Sequence, residues 1–146
     1  MSKRREGREA AVQYLFQQDV QADRGSDFTE HFWELREGNK KVQEFAARLV
    51  EGVNQHLPSI DERIKKYVIN FDIERITVVD RNVLRLAIYE MLHCLEVPPI
   101  VAINEAIEIS KRFGGDESGK FVNGILDKVK LELTRPLREA APKQSQ

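Results

Sequence analysis

The chain has 146 residues, 41% hydrophobic and 32% charged, enough apolar material for one domain with a sizeable core and too much for a disordered chain. Its 23 basic and 24 acidic residues leave a net charge of −1, which excludes a surface that coats nucleic acid on all sides and confines any such contact to a local patch. No apolar run approaches the roughly 20 residues that span a bilayer, MSKRREGREAAVQ lacks the apolar core of a secretory signal, and the lone Cys94 excludes an internal disulfide framework, so a cytoplasmic protein is expected.

Helical periodicity runs through the chain. Gly7–Val20 places Ala11, Val12, Leu15 and Phe16 on one face, and the polar stretch Gln21–Asp27 reads as a connection. Phe28–Glu37 predicts a short helix. Lys41–His56 carries Val42, Phe45, Ala46, Leu49, Val50 and Val53 as a buried stripe that Pro58 ends. Ile60–Val68 follows Ser59. Ile69–Val79 is strand-like in composition, but its position suits a helix-to-helix connection. Thr77 and Asp80 then stand at capping-box spacing. They precede a wide apolar face from Val83 to Leu95 that predicts the central helix of the core. Pro98–Pro99 bounds the next turn, and Ala102–Phe113 and Ser118–Leu133 complete an all-α domain over residues 1–135. Pro136, Pro142 and the ending KQSQ predict a flexible C-terminal tail over 136–146.

Gly114, Gly119 and Lys120 match the first part of the phosphate-binding pattern G-x-x-x-x-G-K-[ST]. Phe121 replaces the hydroxyl that would hold magnesium, Asp116 and Glu117 would repel phosphates, and the preceding segment is helical rather than a strand. The segment reads better as a helix stop at Gly114–Gly115, with Ser118 or Asp116 capping the next helix. His31, His56 and His93 have no metal-ligand spacing, so no metal and no cofactor are expected. Cys94 reads as a packing residue and no Ser sits in a nucleophile elbow, which argues against an enzyme. Glu105 and Glu108 are followed by Lys111 and Arg112, which predicts ion pairs on a helix surface.

What remains is a basic cluster. Lys3, Arg4, Arg5 and Arg8 crowd the N-terminus, diluted by Glu6 and Glu9. They read either as a solvated start or as a phosphate-contacting arm, since guanidinium groups fork donors to phosphate and stack on unpaired bases. Lys120 and Phe121 open the last helix, a cation beside an aromatic, as single-stranded RNA would use. Packing of Phe121 into the core is the plain alternative.

Three blocks carry a resemblance: RREGREAAVQYLFQQD, VVDRNVLRLAIYEM and VPPIVAINEAIEISKRFGGDESGKFVNGILDKV. With AINEAIEISKRFG and SGKFVNGILD following a central R-x-V-L-R-x-A-x-Y-E helix, the chain resembles the NusB family of bacterial transcription antitermination factors from about Arg4 to Val129. The resemblance implies a single all-α domain of two packed helical bundles and no catalytic role. It implies pairing with NusE, a small-subunit ribosomal protein, and binding of the boxA element of nascent single-stranded RNA, notably on ribosomal RNA operons. RNA polymerase and other Nus factors would complete the assembly.

Carried over by residue, the resemblance assigns RNA contacts to Lys3, Arg4, Arg5, Arg8, Glu117, Ser118, Lys120 and Phe121, with Phe16 as an aromatic beside the same surface. Glu6 stands where a basic residue is common in the family. Asp80 is the expected NusE contact. Arg8→Ala should then flatten the salt dependence of RNA binding, and Asp80→Ala should weaken NusE pairing while sparing RNA. Asn104 and Asn123 read as structural. Two other readings are an accessory module of the kind fused to RNA cytosine methyltransferases and a purely protein–protein helical module. Self-association of some family members leaves a homodimer open.

Overall fold

The computed structural model describes residues 2–21, 27–68 and 76–140, and among them seven helices and no strand. Helix α1 (Lys3–Val20) starts four residues earlier than its apolar face predicts, because the Ser2 hydroxyl accepts the Arg5 N–H at 3.1 Å and caps it. The basic start is therefore a helical turn, not an extended arm. Helices α2 (Asp27–Leu35) and α3 (Lys40–Gln55) fall close to their expected bounds. Helix α4 (Leu57–Tyr67) begins ahead of Pro58, which stands in its first turn, where a missing N–H costs nothing. The expected break at Pro58 is thus a helix start.

Helix α5 (Val78–His93) is the centre of the molecule and packs against α1, α3, α4, α6 (Pro99–Gly114) and α7 (Asp116–Lys130). Helices α1 and α3 form one group, joined to α2 by the Tyr14–Phe32–Trp33 ring cluster; α4 to α7 form the other, with α5 common to both. Of the expected inward residues, Leu95 lies past the end of α5 and is exposed and Leu92 is half-buried, but Val83, Leu84, Ala87, Ile88 and Met91 are buried. Phe16 is not: it is 37% exposed at the edge of the α1 face. Of the expected connections, residues 22–26 and 69–75 lie outside the described residues, as do residues 141–146 of the expected tail.

Helix α5 also buries polar groups, each bonded to another element. Arg81 and Arg85 hold Asp19 of α1, Arg85 forks onto Asp61 of α4, and Asn82 bonds Asp19 at 3.1 Å. Burial raises the Asp19 pKa, but Arg81, Arg85 and Asn82 outweigh it and leave the carboxyl below its ordinary value. At the other end of α5, the Arg135 guanidinium bonds the carbonyls of Met91 at 2.8 Å and Val97 at 3.0 Å, closing the helix C-terminus with a cation. The Leu137 carbonyl accepts the Ile100 N–H at 2.9 Å, so the chain is held past Pro136, where a flexible tail was expected to begin. Cys94 is buried and its thiol is pushed up to about 12 by burial and the nearby Glu90 carboxylate, so it packs and does not react.

The rings of His56 and His93 stack with centroids 3.8 Å apart. Burial, with His56 and Arg63 adding to it, holds the His93 pKa below 6.5. A His pKa lowered by folding means that protonation favours the unfolded chain. The contribution is complete above the unfolded value and is lost as pH falls through the lowered folded one. The thermal midpoint should therefore drop as pH falls through the ordinary histidine range and below it, and His93→Gln should reduce that drop. Parallel pH series of the two proteins by thermal denaturation would test this, and equal slopes would reject the His93 contribution.

Candidate nucleic-acid interface

The first turn of α1 holds Lys3, Arg4 and Arg5, three cations at the positive end of a helix dipole, a placement that costs stability. Neighbouring elements hold Arg4 and Arg5 in place. The Arg4 guanidinium lies 5.5 Å from the Phe45 ring centroid of α3. Arg5 Nε donates to Glu105 of α6 at 2.7 Å, and its Nη2 donates to the same carboxylate oxygen. Gly7 is required by this packing, because a Cβ there would collide with Phe45. Lys3 and Arg4 are exposed, and Arg5 is partly so.

Arg8 departs from expectation. It is 3% exposed, with Nε and Nη2 donating to the two oxygens of Glu90 at 2.8 and 2.9 Å and Nη1 reaching Glu105 at 3.4 Å. Burial opposes its charge, but the Glu90 carboxylate outweighs burial and leaves the guanidinium pKa raised. Its donors are spent inside the protein, so the expected phosphate contact is corrected to an interior ion pair tying α1 to α5.

Helix α6 bridges the basic turn to the start of α7. Arg112 donates to Glu9 of α1 at 3.0 Å, and Lys111 lies 3.8 Å from Glu108 as expected. The Lys111 stem crosses Gly119 of α7, where a Cβ would come within 2.7 Å of Lys111 Cγ. Helix α7 opens at Gly115, whose φ of 86° needs glycine. No side chain caps it: Asp116 and Glu117 lie in its first turn, and Ser118 lies within the helix. Lys120 is exposed and sits 3.7 Å from the exposed Glu117. Phe121 is half-buried against the core, between its two expected states. Arg5 and Arg112 thus tie α1 to α6, and the Lys111 stem ties α6 to the start of α7. Asn104 and Asn123 are exposed.

Two expected residues lie elsewhere. Phe16 lines an open groove of about 590 Å³ with Val12, Phe32, Leu35, Val79 and Phe113, an apolar face rather than part of the basic cluster. Asp80 follows Val79 in the chain but does not line the groove, and it is only 6% exposed. The Asp80 N–H is capped by Thr77 Oγ1 at 3.2 Å, half of the expected capping box. Its carboxylate turns away to accept from Ser118 Oγ at 3.3 Å. Sequence reasoning missed Phe45, Lys111 and Arg112. A glycine inside a helical pattern at Gly7 was the available sign that another group approached there. Among the described residues there is no cluster of three or more His, Cys, Asp or Glu placed to hold a metal, and no helix long and apolar enough to cross a membrane.

Comparison with known proteins matches residues 5–130 to the NusB family model. The transcription antitermination protein NusB of Desulfotalea psychrophila is 47% identical over 136 residues, covering 89% of this chain and 96% of that one. Its counterpart from Bacillus subtilis is 44% identical over 131 residues, covering 90% and 97%. Among solved structures, T. maritima NusB superposes with a TM-score of 0.80 at 41% identity, covering 92% of this chain and 94% of that one. A NusB solved with NusE and double-stranded RNA superposes with a TM-score of 0.79 at 27% identity, covering 91% and 99%.

Proposed function

The chain belongs to the NusB family of transcription antitermination proteins, and from that premise we propose that it pairs with NusE and binds boxA-type single-stranded RNA on nascent transcripts. It acts in the cytoplasm, and the pair joins RNA polymerase and other Nus factors. The observation that carries the RNA reading is the first turn of α1. Lys3, Arg4 and Arg5 oppose the helix dipole, yet Phe45 holds Arg4 and Glu105 holds Arg5, and a local rule broken at a stability cost marks a functional surface. Helix α6 extends that turn to Lys120, giving a strip of cations on a chain of net charge −1. NusE docks on the largely apolar groove around Phe16, Val79 and Phe113, which meets the basic surface where the Arg112 guanidinium lies 6.0 Å from the Phe113 ring centroid.

The strip is tested by salt dependence. For single strands the logarithmic slope is about −0.7 per phosphate neutralised. Arg4→Ala and Lys120→Ala should each reduce the slope by about that amount without changing thermal stability. Slopes equal to that of the wild type in both variants would place the RNA elsewhere.

A further inference from the structure

Four side chains of alternating charge run from the interior to the basic turn of α1. Glu90 of α5 holds Arg8 in the core, and Arg8 Nη1 reaches Glu105 Oε1 at 3.4 Å. The other oxygen of Glu105, Oε2, accepts from both Nε and Nη2 of Arg5, whose side chain is 37% exposed. Glu105 is thus anchored on one oxygen by a buried cation and does not follow Arg5 outward. The bond occupies the Nε edge of the Arg5 guanidinium. Among the described residues nothing bonds Arg5 Nη1, so the outer edge of the planar fork is left for a ligand in one orientation.

This arrangement is poorly suited to raising affinity. Glu105 offsets the Arg5 charge and competes with any phosphate for the same donors. Lys3 and Arg4 in the same turn are exposed, and Arg4 rests on a ring rather than on a carboxylate, so phosphate has cations to meet without Arg5. We infer that Glu105 is a positioning residue for selectivity. It gives up affinity and holds the outer edge of Arg5 rigid, so that Arg5 meets a pair of acceptors on one base edge and rejects RNA that does not present them there. This rests on the proposed function above and assigns Glu105 a part in it through Arg5, without contact to RNA. Arg8, though buried, shares in it by anchoring Glu105.

The quantity to measure is the ratio of affinities for boxA-type RNA and a scrambled RNA of the same length, by fluorescence anisotropy with the protein alone at several salt concentrations. Glu105→Gln keeps an acceptor oxygen and the side-chain shape but removes the charge. It should bind the scrambled RNA more tightly than wild type does, and its salt slope should steepen by about 0.7 as Arg5 becomes available to a phosphate. The ratio should fall by about fivefold, the lower end of the discrimination a fixed arginine fork gives. Arg5→Lys keeps the charge and loses the planar fork, so it should lower the ratio by a similar factor with an unchanged salt slope. The double variant should show the ratio of either single, because both remove one fixed contact. A wild-type ratio in Glu105→Gln, with the two affinities unchanged or lowered alike, would overturn the positioning role and leave the RNA reading intact. So would losses of selectivity that multiply in the double variant. A wild-type protein with equal affinity for both RNAs, or none for either, would overturn the RNA reading and the positioning role with it.

Discussion

Arg8→Ala should destabilise the protein by about 3–5 kcal/mol, measured by urea denaturation, the usual cost of leaving one member of a buried ion pair uncompensated. Glu90 is 1% exposed, and Arg8 donates to both of its oxygens. Removing the guanidinium strands that carboxylate between α1 and α5. Glu105 fares better because Arg5 still holds it. The double variant Arg8→Met with Glu90→Met should recover most of the loss, since apolar groups of similar volume often replace a buried pair at little cost. Any loss of RNA binding in Arg8→Ala then reports folding. A variant of wild-type stability with a flattened salt slope would instead return Arg8 to the RNA surface.

Phe16→Ala should weaken pairing with NusE by about 30-fold, close to 2 kcal/mol, as expected for an aromatic anchor at the centre of an apolar interface. Phe16 is 37% exposed and lines the groove with Val79 and Phe113, so its truncation removes contact area there while the core beneath stays filled by Val12 and Leu15. Titration calorimetry with NusE gives the pairing affinity, and thermal denaturation of the lone protein should change little. RNA binding by the lone protein should be nearly unaffected. If RNA binding is lost while pairing is kept, Phe16 belongs to the RNA surface after all.

The helices were legible because their apolar faces repeat at helical spacing, and α5 was legible as the centre because its face is widest. Boundaries were less so where a cap or a proline decided them. Ser2 draws α1 back to Lys3, and Pro58 opens α4 rather than closing α3. Side-chain roles on the candidate surface were legible only in part. Charge type marks Arg4, Arg5 and Arg8 equally, yet Arg8 faces Glu90 inside the fold and Arg4 faces outward over Phe45. That distinction depends on which residues lie opposite across 82 positions of sequence, and helical periodicity within α1 does not carry it. Arg81 and Arg85 illustrate the same point: both are conspicuous in the central motif, and both hold Asp19. The link from Asp80 to Ser118 likewise spans 38 positions and needed the fold to appear.

The most direct measurement is fluorescence anisotropy of a labelled boxA-type RNA, titrated with this protein alone and with equimolar NusE, against a scrambled RNA of the same length. The account predicts selective binding of the boxA-type RNA that tightens when NusE is present and weakens as salt is raised. Equal affinity for both RNAs, or no binding in either condition, would contradict it.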